Sequence, residues 1–168
     1  MLPQARTAVT LLVLCVLLVV GGAWGWSAAT KPFPEKAEAP VCVDRTIAAG
    51  ERVYPEQVTV SVLNAGTREG LAGRTMQLLE DDGFAPGHLD NAPPGTDVAT
   101  AEIWTSDPSS PAVALVASRL GRDTEVVRRD SSAPGVVVVV GDDFTDLSKG
   151  RKSVVAEEDT QICIPPVG

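Results

Sequence analysis

Gly135-Val136-Val137-Val138-Val139-Val140-Gly141 is the stretch on which the fold turns. Five consecutive β-branched residues are too stiff at χ1 to favour a helix, and the run is too short for one. Glycines bound it on both sides, so the chain can turn as soon as the run stops. With no polar position inside it, neither face suits water. The segment reads as a central strand buried on both faces.

Upstream, residues 57–63 (Gln-Val-Thr-Val-Ser-Val-Leu) alternate apolar and polar, the pattern of a half-buried strand. Asn64-Ala65-Gly66-Thr67 is a turn. A helix comes next, with Leu71, Thr75, Leu78 and Leu79 on one face and Gly83 as terminator. Residues 84–89 form a short strand, and Pro93-Pro94-Gly95 breaks the pattern. Residues 100–105 form another strand. Ser110 then caps a second helix with Pro111 at its first position, where a missing N–H costs nothing. Val113, Val116, Ala117 and Leu120 face its core side, Gly121 ends it, and 124–129 is extended.

Strand–helix–strand therefore occurs twice. Each copy must bury one helix face against a sheet, which gives an α/β (α+β) two-layer sandwich of two βαβ-type halves. The expected sheet is mixed or largely antiparallel, of roughly four to six strands, with two main helices on one face. After Gly141 the pattern weakens: 145–152 is polar, 153–156 reads as a short strand and 161–164 as an edge strand.

Ahead of the domain, residues 8–26 carry no charge and are mostly Leu, Val and Ala. As a helix they would be roughly 28 Å long, close to the ~30 Å hydrocarbon core of a bilayer. Arg6 precedes the run and Trp24 and Trp26 close it, which predicts a single-pass transmembrane helix with residues 1–7 in the cytoplasm. The rival reading is a cleaved secretory signal, since Ser27-Ala28-Ala29 suits a peptidase; the apolar run exceeds the usual signal core. Both readings export the domain. Residues 27–40, rich in proline and charge, form a linker, and 41–168 form the extracytoplasmic domain, with its core over 58–144. Of the 14 basic residues only Arg6 lies ahead of Trp26, which leaves 13 against 22 acidic ones in the exported part. An acidic domain without a basic block is a poor partner for nucleic acid.

Cys15 lies within the apolar run, which leaves Cys42 and Cys163 at the two ends of the domain. In an exported compartment they are most simply a disulfide, contributing up to about 4.7 kcal/mol in the chain-entropy model; two buried free thiols are the alternative. One histidine, His88, without a CxxC spacing gives no zinc site, so no metal and no cofactor are expected. The glycine-rich segment 66–74 has three residues between Gly66 and Gly70 and then Leu71, so it is not a P-loop, and GxGxxG is absent. Its helix start could hold an anion, with Arg74 nearby; a tight turn is the plainer reading. His88 receives no role. Asp142, Asp143 and Asp146 read as a solvated turn or helix cap, with a cation site as the alternative, and 157–159 as a solvated loop. No catalytic dyad is visible.

Val60-Ser61-Val62-Leu63-Asn64-Ala65-Gly66, Gly70-Leu71-Ala72, Leu78-Leu79 and Gly83-Phe84 resemble the first half of the LytR_C domain, the C-terminal module of LytR/CpsA/Psr envelope proteins. Ile103-Trp104-Thr105, the segment 114–121 and the valine run leading into Gly141-Asp142-Asp143-Phe144 resemble its second half. The resemblance spans about 58–144; Ala65 departs from it, since the family often has glycine there. The chain is too short for the phosphotransferase domain of full-length relatives. An anchor plus a stand-alone domain looks most like actinobacterial envelope integrity proteins of the Cei type. The resemblance implies a role in maintaining the cell envelope; with no catalytic dyad in view, the leading expectation is a non-enzymatic module that binds a cell-wall polymer or an envelope protein. Its alternative is an accessory subunit of a wall-polymer ligase or phosphotransferase. Asn64, Gly66 and Arg74 are the candidate contact residues, with the α/β face or the groove beside the Asn64–Gly66 turn as the contact surface, and the oligomeric state is left open.

Overall fold

The valine run is strand β7 (Val136–Val140) of a five-stranded sheet, and all five side chains are buried. In the computed structural model, which describes residues 3–29 and 40–166, two compact units appear, Met1–Ala39 and Pro40–Gly168. In the first, α1 (Pro3–Ala29) is one unbroken helix. Its unbroken run of described side chains is 12–26, and these are exposed, with Leu18 at 74% and Trp24 at 80%. Among the described residues, no helix is long and apolar enough to cross a membrane. The side chain of Arg6 and most of the expected linker, 30–39, lie outside the described residues.

In the second unit the elements are β1 (Val43–Ile47), β2 (Arg52–Val53), β3 (Thr59–Asn64), α2 (Leu71–Asp81), β4 (Ala85–Asn91), β5 (Ala101–Thr105) and α3 (Pro111–Leu120). They continue with β6 (Glu125–Arg128), β7, β8 (Val154–Val155) and β9 (Thr160–Ile164). The sheet order is β4-β3-β7-β5-β6. β3–α2–β4 and β5–α3–β6 are the two βαβ units, each with parallel strands side by side. β7 lies between them, parallel to β3 and antiparallel to β5. The sheet is thus mixed, with one antiparallel pairing; the largely antiparallel option does not occur, because each crossover helix returns the chain in the same direction.

The period-two geometry of strands sorts the valines. Val136, Val138 and Val140 join Val60, Val62 and Ile103 under Leu79 of α2 and Val113 and Val116 of α3. Val137 and Val139 point the other way, with Leu63, Val98 and Trp104. Both helices therefore lie on one face. Burying each valine contributes on the order of 1.5–3 kcal/mol, so this strand anchors the layer.

Three further expectations need correcting. β3 is buried on both faces rather than half-buried: its polar residues Thr59 and Ser61 are both fully buried. Ser61 tolerates this because its hydroxyl donates to Pro134 O at 2.6 Å and accepts from His88 N at 2.9 Å. Ser110 stands at the N-cap of α3 but makes no capping hydrogen bond with its side chain. The strand near 161–164 pairs with β1 in a separate antiparallel ribbon, not with the edge of the main sheet. That ribbon, and the second one formed by β2 and β8, lack the apolar alternation that sequence reading relies on; β1 is exposed over Val43–Thr46.

Candidate functional site

The turn after β3 is the leading candidate from sequence, and the fold fills it from within. Asn64 Oδ1 accepts from Gly66 N at 2.9 Å, and Asn64 Nδ2 donates to Arg68 O at 2.9 Å, so one amide folds the turn onto itself. The carboxylate of Asp142, just past β7, accepts from Thr67 N and the Thr67 hydroxyl at 2.9 Å and from Arg68 N at 3.1 Å. The Arg68 guanidinium lies 3.7 Å from it and donates to Phe144 O at 2.6 Å. Asp142 is held below the ordinary aspartate range, chiefly by the Thr67 amide, then by the Thr67 hydroxyl and the Arg68 amide.

Gly66 makes the approach possible, because a Cβ there would run into the Asp142 carboxylate. The turn amides of Thr67 and Arg68, ahead of α2, thus already hold an internal anion. Of the three predicted contact residues, Asn64 and Gly66 belong to this turn. Arg74 is exposed on α2, and its only described bond is its helical N–H to Gly70 O. Sequence alone places Asp142 in a solvated turn; its role is hidden there because its partners lie some 75 positions away.

The other side of the sheet carries a groove whose lining residues the sequence does not single out. Among the described residues, the loop positions Ala65, Ala92, Val98 and Ala133 pack on the face opposite the helices, and a cavity of about 500 Å³ opens there. Leu63 and Trp104 line its apolar side; His88, Asp90 and Asn91 of β4 and Arg129 past β6 supply polar groups. The Arg129 guanidinium sits over the Trp104 ring, 4.0 Å from its centroid. Trp104 is 3% exposed, and its Nε1 donates to Glu102 Oε2 at 3.0 Å. The Asn64 turn backs onto this groove, since Asn64 pairs with Asn91 and its carbonyl accepts from Ala92 N. A smaller cavity of about 320 Å³ lies by the start of α3, lined in part by Asp44 and Asp107. Asp107 is held below its ordinary pKa, first by the Ser109 hydroxyl, with burial opposing and the Ser109 amide and Thr160 hydroxyl assisting. Among the described residues, no group of three or more His, Cys, Asp or Glu is placed to hold a metal ion.

Cys42 and Cys163 are joined, with Cα atoms 5.4 Å apart, one residue outside the β1 register and one within β9. The result is a disulfide-clamped, two-layer α/β sandwich with one helix-covered face and one face open to a groove.

The family described as "LytR cell envelope-related transcriptional attenuator", LytR_C, matches residues 57–144. The chain belongs to the LytR_C family, and with it goes a cell-envelope-associated role. The soluble domain of a conserved hypothetical secreted protein from Mycobacterium marinum, known from a crystal structure, is 29% identical, covering 61% of this chain and 78% of that one with a TM-score of 0.47. No curated protein matches the chain.

Proposed function

We propose that this chain is a non-enzymatic module of the cell envelope, anchored in the cytoplasmic membrane by α1, whose domain outside the membrane binds a wall polymer or an envelope protein. The observation that carries this reading is the open sheet face, where a groove with mixed polar lining adjoins the Asn64 turn of an envelope family's domain. Ligands favour concave sites with a few convergent polar groups, often on loops set by a rigid sheet.

Support for the anchor comes from α1 itself. Its described leucines, valines and tryptophans are exposed, an arrangement that lipid accommodates and water does not. Arg6 at its start favours an amino terminus inside. The Cys42–Cys163 bond suits the oxidising side of the membrane.

The test is retention of the full chain, in detergent micelles, on protein-free cell wall, in parallel with capture of solubilised envelope proteins. Retention or specific capture is expected. Capture of a wall-polymer ligase without wall retention would make the chain an accessory subunit, and neither would remove the binding role.

A further inference from the structure

We infer that the ligand of the open-face groove is an uncharged, hydroxyl-rich glycan segment, gripped between Arg129 on one side and Asp90 and Asn91 on the other. This rests on the binding-module reading above and gives its ligand a chemistry.

Arg129 is the unusual feature. It is exposed, and its backbone N–H donates to Thr105 O at 3.0 Å, which extends the β5–β6 pairing by one residue. Its guanidinium is settled on Trp104, whose ring is itself tied to Glu102. The ion pairs among the described residues join Arg45 to Glu51, Arg68 to Asp142 and Arg119 to Asp82. Arg129 enters none of them, and no described hydrogen bond uses its side chain. A guanidinium carries five N–H donors in a rigid fork. Here the fork is positioned in advance by the ring beneath it, with its donors unspent.

On the β4 side the supply is complementary. Asp90 gives one carboxylate oxygen to Asn91 N at 2.7 Å, which leaves the other oxygen to accept. The Asn91 side chain both donates and accepts. A sugar hydroxyl also donates once and accepts twice, so a run of hydroxyls matches a wall of carboxylate, amide and guanidinium without leaving any group unpaired.

Charge and hydrogen-bond supply disfavour the main rivals. The groove's formal charges are Asp90, Asp130 and Arg129, one net negative, within an exported part carrying 13 basic against 22 acidic residues. A phosphate-rich polymer would be repelled. An apolar peptide would leave the Arg129 fork and the free Asp90 carboxylate oxygen unpaired.

The experiment uses the full chain in detergent micelles on protein-free cell-wall glycan, with neutral oligosaccharides released from that glycan as soluble competitors. Retention should be displaced by the neutral fragments and not by inorganic polyphosphate, and should change little with added salt. Asn91→Ala and Arg129→Ala should each weaken it about tenfold, as expected for one lost charge-assisted or paired hydrogen bond. Arg52→Ala, on β2 and away from the groove lining, should leave it unchanged. Both groove residues are exposed, so neither variant is expected to disturb the core, and unaltered circular dichroism would check this. Full retention by both groove variants, or displacement by polyphosphate, would overturn the inference while leaving a wall-binding module. Capture of a protein alone would overturn it and keep the module. Loss of all binding would remove both.

Discussion

A carboxylate with three donors within 3.1 Å ionises more readily than one in water, and Asp142 is in that position. Its folded pKa is depressed below the ordinary 3.8, so its stabilisation is fully present above that value and is lost as the pH falls through the lowered one. Asp107 shifts in the same direction and adds to the same window. Stability should therefore hold at neutral pH and decline below about pH 4. In Asp142→Asn that acid decline should be shallower and the neutral-pH stability lower; denaturant melts at several pH values would check both. Gly66→Ala puts a methyl group where the carboxylate lies and should cost about 1–3 kcal/mol.

At the scale of elements, Ser61 is the joint between three strands. From β3 it holds Pro134, ahead of β7, and His88, where the β3–β4 register shifts. Ser61→Ala would leave the His88 N–H without that acceptor and should destabilise by about 1–3 kcal/mol in urea titrations. Thr59 is the converse case. Its hydroxyl is buried without a partner, so the isosteric Thr59→Val should be neutral or stabilising by up to about 1 kcal/mol.

These two residues also show how far the sequence can be read. The valine run, both helices and their closing glycines are legible, because hydrophobic period and glycine punctuation are local signals. The alternation Val58-Thr59-Val60-Ser61 is legible as strand but misleads about burial, since the bonds that let Ser61 go inside come from 27 and 73 positions away. Likewise the Asn64 turn can be found locally, but its occupant, Asp142, cannot. A groove beside that turn can be expected, but its lining leaves no local trace: Trp104 and Arg129 meet only because β5 and β6 are paired.

For the whole molecule, the disulfide spans 121 positions and closes nearly all of the domain into one loop. Reduction, or Cys163→Ser, should lower stability by roughly 2–4 kcal/mol, read as a shift of the denaturation midpoint with the β1–β9 ribbon loosening first. The groove and the Asn64 turn lie inside that loop. The envelope role would then depend on oxidation through stability rather than through contact with a ligand.

The same crosslink changes how the molecule carries a load. Tension applied between residues 41 and 164 passes from Cys42 to Cys163 through one covalent bond and bypasses everything between them. The sheet is left out of the line of force, like a component wired in parallel with a short circuit. Pulling on the ends can lengthen only the segments outside the crosslink, so in single-molecule stretching the oxidised chain should release far less contour length than the reduced one.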